Sequence, residues 1–106
     1  MKQVSYGLCV AAVLLASSAQ AATLSLTDKL TAYHAATPAE RGAVIPLALK
    51  AVSSEIDRQG KTDAEIGADV LPCMDSVDEQ VSDADRATQP VLDLAAVCLA
   101  QLGYKK

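Results

Sequence analysis

The sequence predicts an all-α protein: a small bundle of about four helices after a cleaved leader, with one disulfide clasping its C-terminal helical hairpin. Three observations predict it. Beyond the leader, apolar residues recur at helical spacing, and nowhere do they alternate with period two over a strand's length. Two Thr-x-x-Glu motifs sit directly before apolar stripes, as N-terminal capping boxes do. Two cysteines, Cys73 and Cys98, follow the leader, an even pair in an exported chain.

The leader is residues 1–21. Lys2 supplies a short positive region, Tyr6 to Ala16 is an uncharged apolar run, and Ala19-Gln20-Ala21 is an A-x-A cleavage site. The run is about a dozen residues, against roughly 20 for a membrane span. Cys9 lies inside it and leaves with it, without the small residues that a lipoprotein signal needs. Cleavage after Ala21 predicts a periplasmic or secreted protein with no stable membrane anchor, its one all-α domain spanning 22–106.

The first helix is short, with Thr27 as N-cap, Asp28 in the first turn, and Leu26, Leu30 and Tyr33 on one face. The second opens at Thr37-Pro38-Ala39-Glu40, where proline at the first helical position loses no hydrogen bond. Its stripe is Ile45, Leu49, Val52 and Ile56, widened by Ala48, and Gly60 stops it. Thr62-Asp63-Ala64-Glu65 opens the third, whose stripe reads Ile66, Val70, Cys73, Val77 and Val81. Pro46 and Pro72 fall inside these two helices. Each costs about 3 kcal/mol in a regular helix, so a kink at Pro46, and a kink or break at Pro72, is expected. The fourth helix begins near Gln89-Pro90, carries Val91, Ala95, Cys98 and Leu102 with Leu92 and Leu99 beside them, and ends at Gly103. Between the third and fourth, Ser82-Asp83-Ala84-Asp85 has the form of another cap. The three cap motifs look like an internal repeat, but capping chemistry in an alanine-rich chain accounts for them without duplication.

The cysteines sit at matched heights. Cys73 is eight residues before Val81 and Cys98 eight after Pro90, so each lies roughly 12 Å from the connection of an antiparallel hairpin. A redox pair would take C-x-x-C spacing, and a zinc site about four ligands in a chain with one histidine.

Nine Lys and Arg against thirteen Asp and Glu give a net charge of −4, made one unit more negative by loss of Lys2. Such a surface repels nucleic acid and anionic membranes. No residue pattern calls for a cofactor, a metal or a catalytic group. His34 falls at a frayed helix end, where exposure is expected, and Tyr33 reads as a core or edge filler. The acidic group Asp75, Asp78, Glu79, Asp83 and Asp85 lacks the central glycine and terminal glutamate of an EF-hand and reads as a solvated helix face. Glu55 and Asp57 do not face each other on a helix, so they form no carboxylate dyad.

These readings point to a non-enzymatic protein that acts by binding another protein, as an inhibitor, an accessory subunit or an envelope stress factor. Two alternatives remain. The profile (small, exported, acidic, helical, one disulfide) is similar to that of the HdeA type of acid-resistance protein, which implies an acid-stress periplasmic chaperone, although the cysteine spacing here is shorter. The other is a carrier of a small apolar ligand between the helices.

Overall fold

The computed structural model describes residues 23–106. The predicted leader, its cleavage site and Cys9 lie outside the described residues. The elements are α1 (Leu30–Ala35), α2 (Pro38–Ala51), a 3-10 turn (Ser53–Glu55), α3 (Asp63–Gln80), α4 (Asp83–Arg86) and α5 (Val91–Gln101). Among the described residues there is no strand, only the isolated bridges Lys29–Pro90 and Ile56–Lys105. No helix among them is long and apolar enough to cross a membrane.

Local chemistry sets the helix starts. At α2 the Thr37 hydroxyl accepts from the Glu40 N–H while the Glu40 carboxylate accepts from the Thr37 N–H, and Thr62 with Glu65 repeats this at α3. Ser82 caps α4 through the Asp85 N–H. Replacing Thr37 or Thr62 by alanine removes one such acceptor, and each change is expected to cost about 1 kcal/mol, read as a shifted urea midpoint with unchanged slope. The end of α5 is a Schellman motif: the Tyr104 N–H reaches the Leu99 carbonyl at 2.9 Å and the Gly103 N–H that of Ala100 at 3.2 Å. Gly103, at φ +88°, supplies the left-handed residue this requires.

Both proline-containing helices run on as single helices. Pro46 and Pro72 lie on exposed positions, so the carbonyls freed at Gly42 and Ala68 can be hydrated rather than stranded in the core.

Four expectations are corrected. The first helix begins at Leu30, because Thr27 and Asp28 belong to a turn in which the Asp28 carboxylate accepts from the Ser25 N–H at 2.9 Å. The second ends at Ala51, not at Gly60. Ile56 is buried as its place in the stripe implied, but from extended chain: Asp57 N–H bonds the Tyr104 carbonyl and Lys106 N–H that of Glu55, joining this segment to the C-terminus. The most buried stripe of α3 is Ile66, Val70, Met74 and Asp78, while Cys73, Val77 and Val81 are only partly buried. On α5, Leu94 is buried and Leu102 is 42 % exposed, since the chain turns at Gly103 and Tyr104 fills the core instead.

The central element is α3, which packs on α2 and on α5; α1 lies on α4 and α5. Cys73 and Cys98 are bonded with Cα atoms 5.9 Å apart, so α3 and α5 are the clasped hairpin that the matched heights predicted. Among the described residues the core is aliphatic apart from Tyr33 and Tyr104. Within helices, a Cβ on Gly42 would meet Leu71 at 3.9 Å and one on Gly67 would meet Ile45 at 3.8 Å, both ordinary contacts. Gly67→Ala is therefore expected to stabilise by about 0.5–1 kcal/mol in thermal unfolding.

Candidate functional site: carboxylates along the central helix

Three aspartates of α3 tie the other elements to it. Near its start, Asp69 accepts from the buried Tyr104 hydroxyl at 2.6 Å, and Lys61 Nζ lies 3.0 Å from that hydroxyl and 3.4 Å from the carboxylate. Further along, Asp75 accepts from the buried Tyr33 hydroxyl at 2.7 Å and from Arg41 Nη1 at 3.1 Å. Both tyrosines carry a cation over the ring, Lys61 at 5.2 Å and Arg41 at 4.9 Å from the centroid. The same small device, tyrosine to aspartate to cation, thus pins the C-terminus at one place on α3 and α1 at another.

Asp78 is the third, and it is only 2 % exposed. One carboxylate oxygen accepts from Arg86 Nε at 3.1 Å, and the other lies 2.6 Å from His34 Nδ1. Arg86, itself buried, also donates to the Asp78 carbonyl at the C-terminal end of α3 and to the exposed Asp83 at 2.7 Å. Arg41 plays the matching part for α1, donating to the carbonyls of Tyr33 and His34 at 2.9 and 2.7 Å. Each arginine therefore adds a charged donor at a helix C-terminus, joining the Ala36 N–H on the Tyr33 carbonyl and the Val81 N–H on that of Asp78.

The acidic group is thus not a uniformly solvated face. Glu79, Asp83 and Asp85 are exposed, whereas Asp78 is buried and Asp75 is shared by two donors. His34 is half exposed but not free, since its ring holds Asp78. The arginine at position 86 carried no signal in the hydropathy pattern; only the short spacing Asp78…Arg86 across a cap motif could have hinted at it. Tyr33 is the core filler expected. Glu55 and Asp57 lie outside any α-helix, beside the Ile56–Lys105 bridge.

The histidine–aspartate contact has the geometry of a base and its orienter. Among the described residues, however, no serine, threonine or cysteine side chain is hydrogen-bonded to the His34 ring. Nor is any group of three or more His, Cys, Asp or Glu there placed to hold a metal ion. The bonds to Asp78 orient the His34 ring and the Arg86 guanidinium. Burial, then the bond to Asp75, pushes the Tyr33 hydroxyl well up, so it stays a donor.

Apolar surface lies beside these networks. An open groove of about 280 Å³ is lined by Val52, Ile56, Ala96, Val97, Leu99 and Ala100, with Glu55 and Lys105. A second, of about 160 Å³, is lined by Leu30, Val77, Val81, Leu94 and Val97, with Asp85, Gln89 and Asp93. They meet at Val97, which is 45 % exposed.

No family model, curated protein or solved structure matches this chain.

Acid acts on this chemistry with a definite sign. The Tyr104 hydroxyl, then Lys61, hold the Asp69 carboxyl below its ordinary range, and the Thr62 N–H does the same for Glu65. A carboxyl lowered in the folded state contributes stability that is present above its unfolded pKa and lost as pH falls through the folded one. The Lys61 ammonium is raised, first by Tyr104 and then by Asp69, so its contribution fades instead at alkaline pH. The urea midpoint is expected to fall steadily from about pH 4 downward, and Asp69→Asn should flatten that fall while lowering the midpoint at pH 7.

Proposed function

We propose that this chain is a non-enzymatic binding protein of the periplasm or extracellular space, which docks another protein on the apolar surface centred on Val97. The observation that carries this reading is the meeting of two open apolar grooves at that half-exposed valine, on the helix that the disulfide holds in place. The grooves are open troughs rather than an enclosed chamber, which suits side chains of a protein partner better than a free apolar ligand. Export supports it too, because the leader and the paired cysteines imply the same oxidising compartment. The test is capture from a periplasmic extract on the oxidised protein, run beside Val97→Asp and Lys50→Ala. A partner held by the wild type and by Lys50→Ala, but lost with Val97→Asp, supports the reading. Capture that ignores the Val97 change overturns it.

A second reading, the acid-stress chaperone, is favoured by one specific observation: three packing interactions of α3 run through aspartates. Acid neutralises all three and leaves the chain strongly cationic while the disulfide keeps the hairpin closed. Light scattering from an aggregating client at about pH 2–3 tests it. Suppressed scattering favours this reading, and undiminished scattering removes it.

A further inference from the structure

The six residues of α1 are too few to hold a helix alone, so tertiary contacts must keep it in place. Leu30 and Tyr33 bury their side chains, and the flanking backbone is tied by Leu30 N–H to the Gln89 carbonyl at 2.8 Å and Val91 N–H to that of Asp28 at 2.9 Å. The side-chain hydrogen bonds from α3 to α1 all pass through two carboxylates one turn apart. Asp75 holds the Tyr33 hydroxyl directly, and it holds Arg41 from α2, which in turn holds the carbonyls of Tyr33 and His34. Asp78 holds the His34 ring and, from α4, Arg86. The attachment of α3 to α5 differs in kind, because it is covalent.

We propose that Asp75 and Asp78 form an acid-released latch, whose protonation frees α1 from the disulfide-clasped α3–α5 hairpin and opens the groove that Leu30 now walls. The charge balance drives the release. The groups facing Asp75 are Tyr33 from α1 and Arg41 from α2; those facing Asp78 are His34 from α1 and Arg86 from α4, with Asp83 on the far side of Arg86. Once the aspartates are neutral, Arg41 loses the carboxylate it bonds and the buried Arg86 keeps only the exposed Asp83. Leu30 shares its groove with Val77, Val81, Leu94 and Val97, so its departure lengthens the apolar trough beside Val97. The release stands on the contacts of α1 alone; only its consequence, a larger docking surface in acid, rests on the binding readings above.

Amide hydrogen exchange on the oxidised protein at pH 7 and about pH 3, corrected for intrinsic rates, tests the latch. Protection over residues 30–36 is expected to fall at least tenfold more than protection over 91–101. The double variant Asp75→Asn with Asp78→Asn should show the same selective loss at pH 7, while Asp69→Asn, at the Tyr104 site, should lower protection over 30–36 no more than over 91–101. Protection that falls equally in both segments, or in neither, overturns the latch; should the double variant not fold, the wild-type comparison decides alone. The dye 8-anilinonaphthalene-1-sulfonate then reads the groove: more binding at pH 3 that Val97→Asp diminishes agrees with the widened trough. Selective exchange without suppressed client aggregation keeps the latch and removes the chaperone reading, so the two fail separately.

Discussion

Reducing the Cys73–Cys98 bond, or replacing Cys98 by alanine, is expected to lower the melting temperature by about 15–25 °C. The two cysteines are 25 residues apart in sequence, and on the chain-entropy model closing such a loop is worth about 3.5 kcal/mol. That is a large share of the total, because a domain of this size with an aliphatic core and two buried aromatics has a stability of order 5 kcal/mol. The enclosed loop also contains Asp78, Arg86 and α4. Cys98 is fully buried, so alanine there adds a small packing loss that reduction alone does not. Scanning calorimetry with and without reductant separates these contributions, and a melting temperature indifferent to reductant would contradict the loop argument.

Asp78→Ala is expected to cost about 3–4 kcal/mol, the penalty for leaving one member of a buried pair without the other. Arg86 is 8 % exposed and would keep only the fully exposed Asp83 as an anionic partner. His34 would lose its acceptor at the same time. Breaking the pair from the other side, by Arg86→Met, leaves the buried Asp78 with His34 as its side-chain partner. The double change Asp78→Leu with Arg86→Met removes both charges and keeps much of the apolar volume, so it should recover most of the loss. A double-mutant cycle in urea, built from Asp78→Leu, Arg86→Met and the double change, is the check: additive single losses would mean that the two side chains do not act as a unit.

Much of the architecture was legible in the sequence because it depends on neighbours along the chain. A capping box is a bargain between residues three apart, so Thr37 with Glu40 and Thr62 with Glu65 named their helix starts correctly. Gly103 stopped α5 because a left-handed residue is needed there whatever packs nearby. The disulfide followed from parity and from equal heights on two rods, since rise per residue is a local constant.

The polar site was much less legible. Asp78 looked solvated because carboxylates usually are, and its burial depends on an arginine that the turn after α3 folds back upon it. The α3 stripe was read toward Cys73 and Val77, but this helix is packed from two sides, and periodicity cannot say which of two apolar faces is the deeper. Ile56 was placed on a helix because spacing alone cannot distinguish a helical residue from an extended one paired with the distant Lys105.

The sequence by itself determined where the capped helices α2 and α3 start, which cysteines pair, and that the fold is helical, since capping, rise and propensity act over a few residues. Only the tertiary structure decided that three aspartates of α3 hold the molecule together, because a carboxylate's role depends on which distant donors folding brings within 3 Å of it. Hydrogen bonds at that range carry no imprint in the spacing of the residues that make them.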